Sequence, residues 1–180
     1  MKWKMLKMQT SSVLPFHRSY NTTMVKTKEK SNILITCAGG SAPLYSANTL
    51  KSRYNIFLVD ASRHTVAASL NFPFAQVPLG SSPHYLKALN SLVQKWHIDC
   101  IVPGADEELL KTSRLCQLHP HLSAIIPSQK FIATCLDKKK LMELLARFNI
   151  SSLSPFTRHQ IHYPAIVKPI FGRGSRQVHK

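Results

Sequence analysis

The densest group of anion-binding residue types lies at the end of the chain. Lys168 sits within the apolar run YPAIVKPI and is followed by Gly172, Arg173, Gly174, Ser175 and Arg176. A lysine in an apolar strand is costly unless its ammonium reaches water or an anion. Glycines at 172 and 174 free the backbone to aim N–H groups at a phosphate, and the arginines and serine add donors and charge. The plainer alternative is an exposed hairpin whose lysine extends to solvent. A Walker-type loop is excluded, because FGRGSR lacks the terminal Gly-Lys-Ser/Thr and follows its lysine.

Two other places bear chemistry. The turn CAGGSAP puts Gly39 and Gly40 after an apolar run, with Asp60 closing the next one, an arrangement akin to a dinucleotide fingerprint. Its spacing is poor, since the glycines are adjacent and Pro43 stands where a third would be expected; a tight turn into a helix also explains it. In PGADEELL, Asp106, Glu107 and Glu108 follow a strand at the end where open α/β sheets place ligands. Asp106 as a helix cap, with two glutamates complementing the helix dipole, is the structural alternative.

The elements that must position these residues alternate from residue 31 onward. NILITCAGG, NIFLVDA, FAQVPL, DCIVPG and LSAIIPS read as strands or short apolar stretches. SAPLYSANTLKSR, SPHYLKALNSLVQKW and DEELLKTSRLCQL read as helices between them. In the second helix Leu86, Leu89, Leu92, Val93 and Trp96 share a face. Such alternation requires crossovers covering both faces of a parallel sheet. The fold class is therefore α/β, a doubly wound parallel sheet over residues 31–127. Beyond it, DKKKLMELLARFNI reads as a helix capped by Asp137 with a stripe of Leu141, Leu144, Leu145 and Phe148. SPFTR and YPAIVKPI then read as β-type segments.

Charge is the outstanding feature of composition: 24 Lys+Arg against 8 Asp+Glu give +16. That field attracts polyanions in general. It is spread along the chain without a helix-turn-helix or zinc-finger spacing, so nucleic acid is not the expected partner. No apolar run approaches the roughly 20 residues of a membrane span, so no membrane partner is expected. Cys37, Cys100, Cys116 and Cys135 are far apart, as suits free thiols in a reducing compartment such as the cytoplasm. His119 with His121, and His159 with His162, have no cysteine or carboxylate close in sequence and read as surface histidines. Residues 1–30 contain one acidic residue, Glu29, and no periodicity. They read as a basic disordered or mis-started leader, with Met24 an alternative start, in preference to an organelle-targeting segment.

Taken in order, ILITCAGG, IFLVDAS, DCIVPGADEELL, IIPS…CLDKKKLMELL and YPAIVKPIFGRGSRQV resemble the amino-terminal part of an ATP-grasp ligase of the carbamoyl-phosphate-synthase-like branch. The resemblance spans Ser31 to Lys180. It implies a pre-ATP-grasp, Rossmann-like domain over 31–127 and an incomplete α+β ATP-grasp lobe over 128–180. It also implies that Lys138 and Lys168 contact a nucleotide, ATP, while Gly172, Arg173, Gly174, Ser175 and Arg176 form a flap over its phosphates. Gln177 stands where relatives often have glycine. Such a ligase joins a carboxylate substrate to an amine through an acyl-phosphate and needs Mg²⁺. After Glu143 there is no Asp or Glu at all. The expectation is accordingly a fragment with weak ATP binding at most and Mg only in a complete enzyme. No catalytic or metal-binding residue is assigned.

Two other classes remain open on the residues. One is a basic α/β interaction module that binds a polyanion or nucleic acid without catalysis. The other is an oxidoreductase that uses Gly39, Gly40 and Asp60 for a dinucleotide. Nothing in the sequence speaks to oligomeric state.

Overall fold

The computed structural model of the chain describes residues 30–152, 164–172 and 177–179. Strands β1 (Asn32–Ile35), β2 (Asn55–Asp60), β3 (Phe74–Gln76), β4 (Cys100–Val102) and β5 (Ser123–Ala124) form one sheet in the order β3-β2-β1-β4-β5. Each neighbouring pair is parallel, with Ile33 opposite both Ile56 and Cys100, and Ile35 opposite Leu58 and Val102. Crossovers are made by α1 (Ser41–Leu50), the short α2 (Val66–Ser69), α3 (Tyr85–Lys95) and α4 (Leu109–Leu118).

Alternation along β1 shows why both faces are covered, since successive side chains of a strand point to opposite faces. Ile33 and Ile35 pack with Ile56, Leu58, Ala47 of α1 and Ala67 of α2. Leu34 packs on the other face with Val59, Ile101, Tyr85, Leu89 and Val93 of α3, and Leu115 of α4. All of β1 beyond its first residue is apolar because both faces are dry. Each fully buried leucine or isoleucine contributes about 1.5–3 kcal/mol. The stripe read from α3 is the one it buries, and Trp96 just past its end stacks on Phe57 at 5.1 Å between ring centroids.

The carboxyl-terminal part departs from expectation. Residues 128–147 form two helices, α5 (Gln129–Leu136), capped by Ser128, and α6 (Lys138–Arg147), capped by Asp137, whose carboxylate accepts from the Lys140 amide at 3.1 Å. α5 packs on α4, and α6 on α5. Beyond them, the described residues hold only an isolated antiparallel bridge between Val167 and His179. The helix expected after Asp137 is found as α6, but the described residues beyond it form no sheet, only this one bridge, so the expected α+β ATP-grasp lobe is not supported. Segment SPFTR lies outside the described residues. Among the described residues, no helix is long and apolar enough to cross a membrane.

Candidate functional site

In the strand order, chain progression reverses between β1 and β4. In open parallel sheets ligands bind outside the carboxyl ends of strands at such a point. Three loops meet there: residues 36–40 after β1, 61–65 after β2 and 103–105 after β4.

The first loop is held by its neighbours. Thr36 N donates to Val102 O at 3.1 Å, Ala38 N to Val59 O at 3.0 Å, and Gly40 N to Cys37 O at 3.1 Å. Gly39 N donates to Asp60 Oδ2 at 2.8 Å, while Asp60 Oδ1 accepts from Ser62 N at 2.9 Å. Asp60 is 9% exposed, so its carboxylate ties two loops together instead of facing solvent. A side chain at Gly39 would put its Cβ 2.8 Å from Thr65 Cγ2, which explains the glycine by close approach. Helix α1 then opens at Gly40 with no side-chain cap and no acidic residue in its first turn. Ser41 and Ala42 are exposed, and as the first helical residues their amides lack partners within the helix. Pro43 contributes no N–H. The result is two donors without helical partners at the positive end of a ten-residue helix.

Beneath this turn lies a polar group that sequence reading missed. Thr36 is fully buried, and its hydroxyl donates to Glu108 and accepts from Gly104 N at 3.1 Å. Residues Asp106–Glu108 form a 3₁₀ turn entered from Ala105, and α4 starts only at Leu109. Asp106 therefore does not cap that helix, and Glu108 turns inward to 5% exposure. Burial pushes its carboxyl above the ordinary range, partly offset by the Thr36 hydroxyl. The Tyr85 hydroxyl lies beside both but makes no hydrogen bond of good geometry, and burial pushes the phenol far up, so it stays neutral. Lys111 closes the other side: its ammonium donates to Gly80 O at 2.5 Å and Ser82 O at 2.7 Å, over the Tyr85 ring. One signal was legible. Thr36 follows Leu34 by two positions and so shares its inward face, where a hydroxyl needs a partner.

The residues read from the closing stretch fall elsewhere. Lys138 begins α6; its ammonium donates to Gly172 O at 2.9 Å and Ile170 O at 3.3 Å, and its amide also donates to Ile170 O. Lys138 and Gly172 are thus brought together, with the lysine held on main-chain carbonyls. Gly172 has φ +137°, a conformation that favours glycine. Lys168 is exposed beside Ile166 and Val167, themselves 59% and 57% exposed, so its ammonium reaches water. Arg173, Gly174, Ser175 and Arg176 lie outside the described residues. His119 and His121 stack edge to face at 5.6 Å, and His119 Nε2 bonds Asn90 Oδ1. Among the described residues, no group of three or more His, Cys, Asp or Glu could hold a metal. A hollow lined by Asn32, Asn55, His97 and Asp99 lies at the amino ends of the strands, away from the switch point.

No family model matches the chain, and no curated protein does. Solved structures do. The Bordetella bronchiseptica enzyme WbmG in complex with NAD aligns at 10% identity and TM-score 0.43, over 53% of this chain and 36% of that one. A 4-hydroxyisoleucine dehydrogenase complexed with NADH aligns at 10% identity and TM-score 0.42, over 67% and 70%. A short chain dehydrogenase family protein from Francisella tularensis subsp. tularensis SCHU S4 aligns at 13% identity and TM-score 0.40, over 67% and 66%. The chain spans about a third of the length of the first of these, 36%. These are dehydrogenase-type and NAD-bound proteins, not ATP-grasp ligases. The ATP-grasp resemblance is corrected on that finding, and with it the ligase activity, the carboxylate substrate, and ATP and Mg as cofactors. The reading as a non-catalytic polyanion or nucleic-acid module gains no support either. The physical reason is that strand, glycine turn, helix and acid-ended strand recur in any doubly wound layer. Their order does not single out one family.

Proposed function

We propose that this chain is the cofactor-binding layer of a nicotinamide-dinucleotide-dependent enzyme, with the dinucleotide lying across the carboxyl ends of β1, β2 and β4. The observation that carries the reading is the turn Gly39–Ala42, which presents two helix amides without helical partners, with no acidic residue in the helix's first turn, at the point where the strand order reverses. Pyrophosphate is the group such a turn suits. The close approach of Thr65 and Asp60 to Gly39 keeps a side chain out of the path, and the net charge of +16 favours an anionic ligand overall. A bound nicotinamide cofactor supplies hydride transfer. The chain's own part is to orient it: α1 holds the pyrophosphate, and the loops after β2 and β4 border its two halves.

The test is a titration with NADH and NADPH, read by the fluorescence of the reduced nicotinamide and by thermal protection, with Mg-ATP as the comparison. At a ligand concentration of 100 times Kd the expected protection is about 2.7 kcal/mol. Ala42→Glu separates binding from folding. A carboxylate in the first turn stabilises a helix by about 0.3–1 kcal/mol, yet it opposes pyrophosphate, so this variant melts no lower than wild type and loses dinucleotide binding. Protection by Mg-ATP alone, or undiminished binding by the variant, refutes the proposal.

A further inference from the structure

We infer that the dinucleotide this site takes is the form phosphorylated on the adenosine 2′-oxygen, with Arg63 as the residue that recognises that phosphate; the inference rests on the dinucleotide reading above. An enzyme that binds an unphosphorylated ribose does so with an acid at the end of the second strand, which accepts from the ribose hydroxyls. Here that acid is Asp60, and both of its oxygens already accept backbone amides, from Gly39 and Ser62, in a nearly buried position. What this end of β2 offers to solvent is instead cationic. Arg63 is exposed, and its Nε donates to Gln76 Oε1 at 3.1 Å. Gln76 pairs in register with Asp60 and donates its own amide to Ala61 O at 2.9 Å, so it is held from both sides. The guanidinium is therefore anchored at the carboxyl edge of β2 and β3 through one nitrogen. Among the described residues nothing accepts from its two terminal amino groups. Those groups form the planar fork that matches a phosphate. His64 follows, also exposed.

The experiment compares Kd for NADPH and NADH, with adenosine 2′,5′-bisphosphate and 5′-AMP as smaller probes, in wild type, Arg63→Gln and Arg63→Lys. Wild type is expected to favour the 2′-phosphorylated member of each pair by about tenfold or more, the scale of one charge-assisted fork. Arg63→Gln is expected to bring the ratio close to one. Arg63→Lys keeps the charge but loses the fork and falls between them. The ratio is its own control for folding, because a damaged fold weakens both ligands. The preference should also shrink with added salt, as an exposed ion pair does. Equal affinities in wild type, or a ratio indifferent to residue 63, overturn this inference and leave the dinucleotide reading standing. No binding of any of the four ligands overturns both.

Discussion

Replacing Gly104 with alanine perturbs the contact that joins β1 to β4 at the centre of the sheet. A Cβ at this position would fall deep inside van der Waals contact of the Thr36 carbonyl oxygen, and 3.0 Å from Cys37 Cβ and Pro43 Cγ. The backbone is held on both sides of this carbonyl, by the Thr36 amide on Val102 O and the Ala38 amide on Val59 O, which opposes its swinging aside. The two loops must separate instead. Separation stretches the 3.1 Å bond from Gly104 N to Thr36 Oγ1, worth about 1 kcal/mol. Forcing an extra carbon into a packed site adds about 1–3 kcal/mol. The total is roughly 2–4 kcal/mol. At about 2–4 °C per kcal/mol for a chain of this size, melting should fall by roughly 5–15 °C. Far-UV circular dichroism melts and urea midpoints read this directly. Pro43→Ala added to the alanine variant should recover little, because it relieves a side chain and leaves the carbonyl in place. Melting within about 2 °C of wild type, the range of a harmless surface change, refutes the account of how the switch point is held.

The buried polar groups lead to two further expected outcomes. Glu108 has its carboxyl raised above the ordinary 4.5 by burial, so the folded protein binds a proton that the unfolded chain has released. Stability should therefore fall as pH rises from 4.5 through the raised value, and urea midpoints of Glu108→Gln should be flatter across that window. Thr112 in α4 is fully buried, and its hydroxyl has no hydrogen-bond partner among the described residues. Thr112→Val removes that unmet hydroxyl and should raise stability by about 1 kcal/mol, seen as a melting increase of roughly 2–4 °C.

How far the sequence alone reached can be judged residue by residue. β1, β2 and α3 were legible because apolar period and burial coincide: Leu89 and Val93 lie on the read stripe and are the residues α3 buries, together with Tyr85. Asp137 was legible as a cap because a carboxylate before LysLysLys has few other local uses, and Lys140 N bonds it. β5 was over-read. LSAIIPS is apolar, yet only Ser123–Ala124 pair, and Ile125 is 69% exposed at the sheet edge. α5 was missed because QKFIATCL buries a single residue, Ile132, which gives no stripe to find. Glu108 was read either as one of three carboxylates facing a ligand or as a complement to a helix dipole, since local sequence does not show that the chain enters α4 through a 3₁₀ turn that rolls it inward. The closing loop drew the most weight because its composition suits phosphate so well. Composition does not reveal that Lys138 turns to the carbonyls of Ile170 and Gly172, or that Lys168 stands in solvent.

The most direct measurement of the central claim is an amide-resolved NMR titration of the chain with NADPH. The largest shifts are expected on Gly39, Gly40, Ser41 and Ala42, with Arg63 among them, while Lys138 and Gly172 barely move. Shifts centred on Lys138 and Gly172, or none at the β1–α1 turn at saturating ligand, would contradict dinucleotide binding at the switch point.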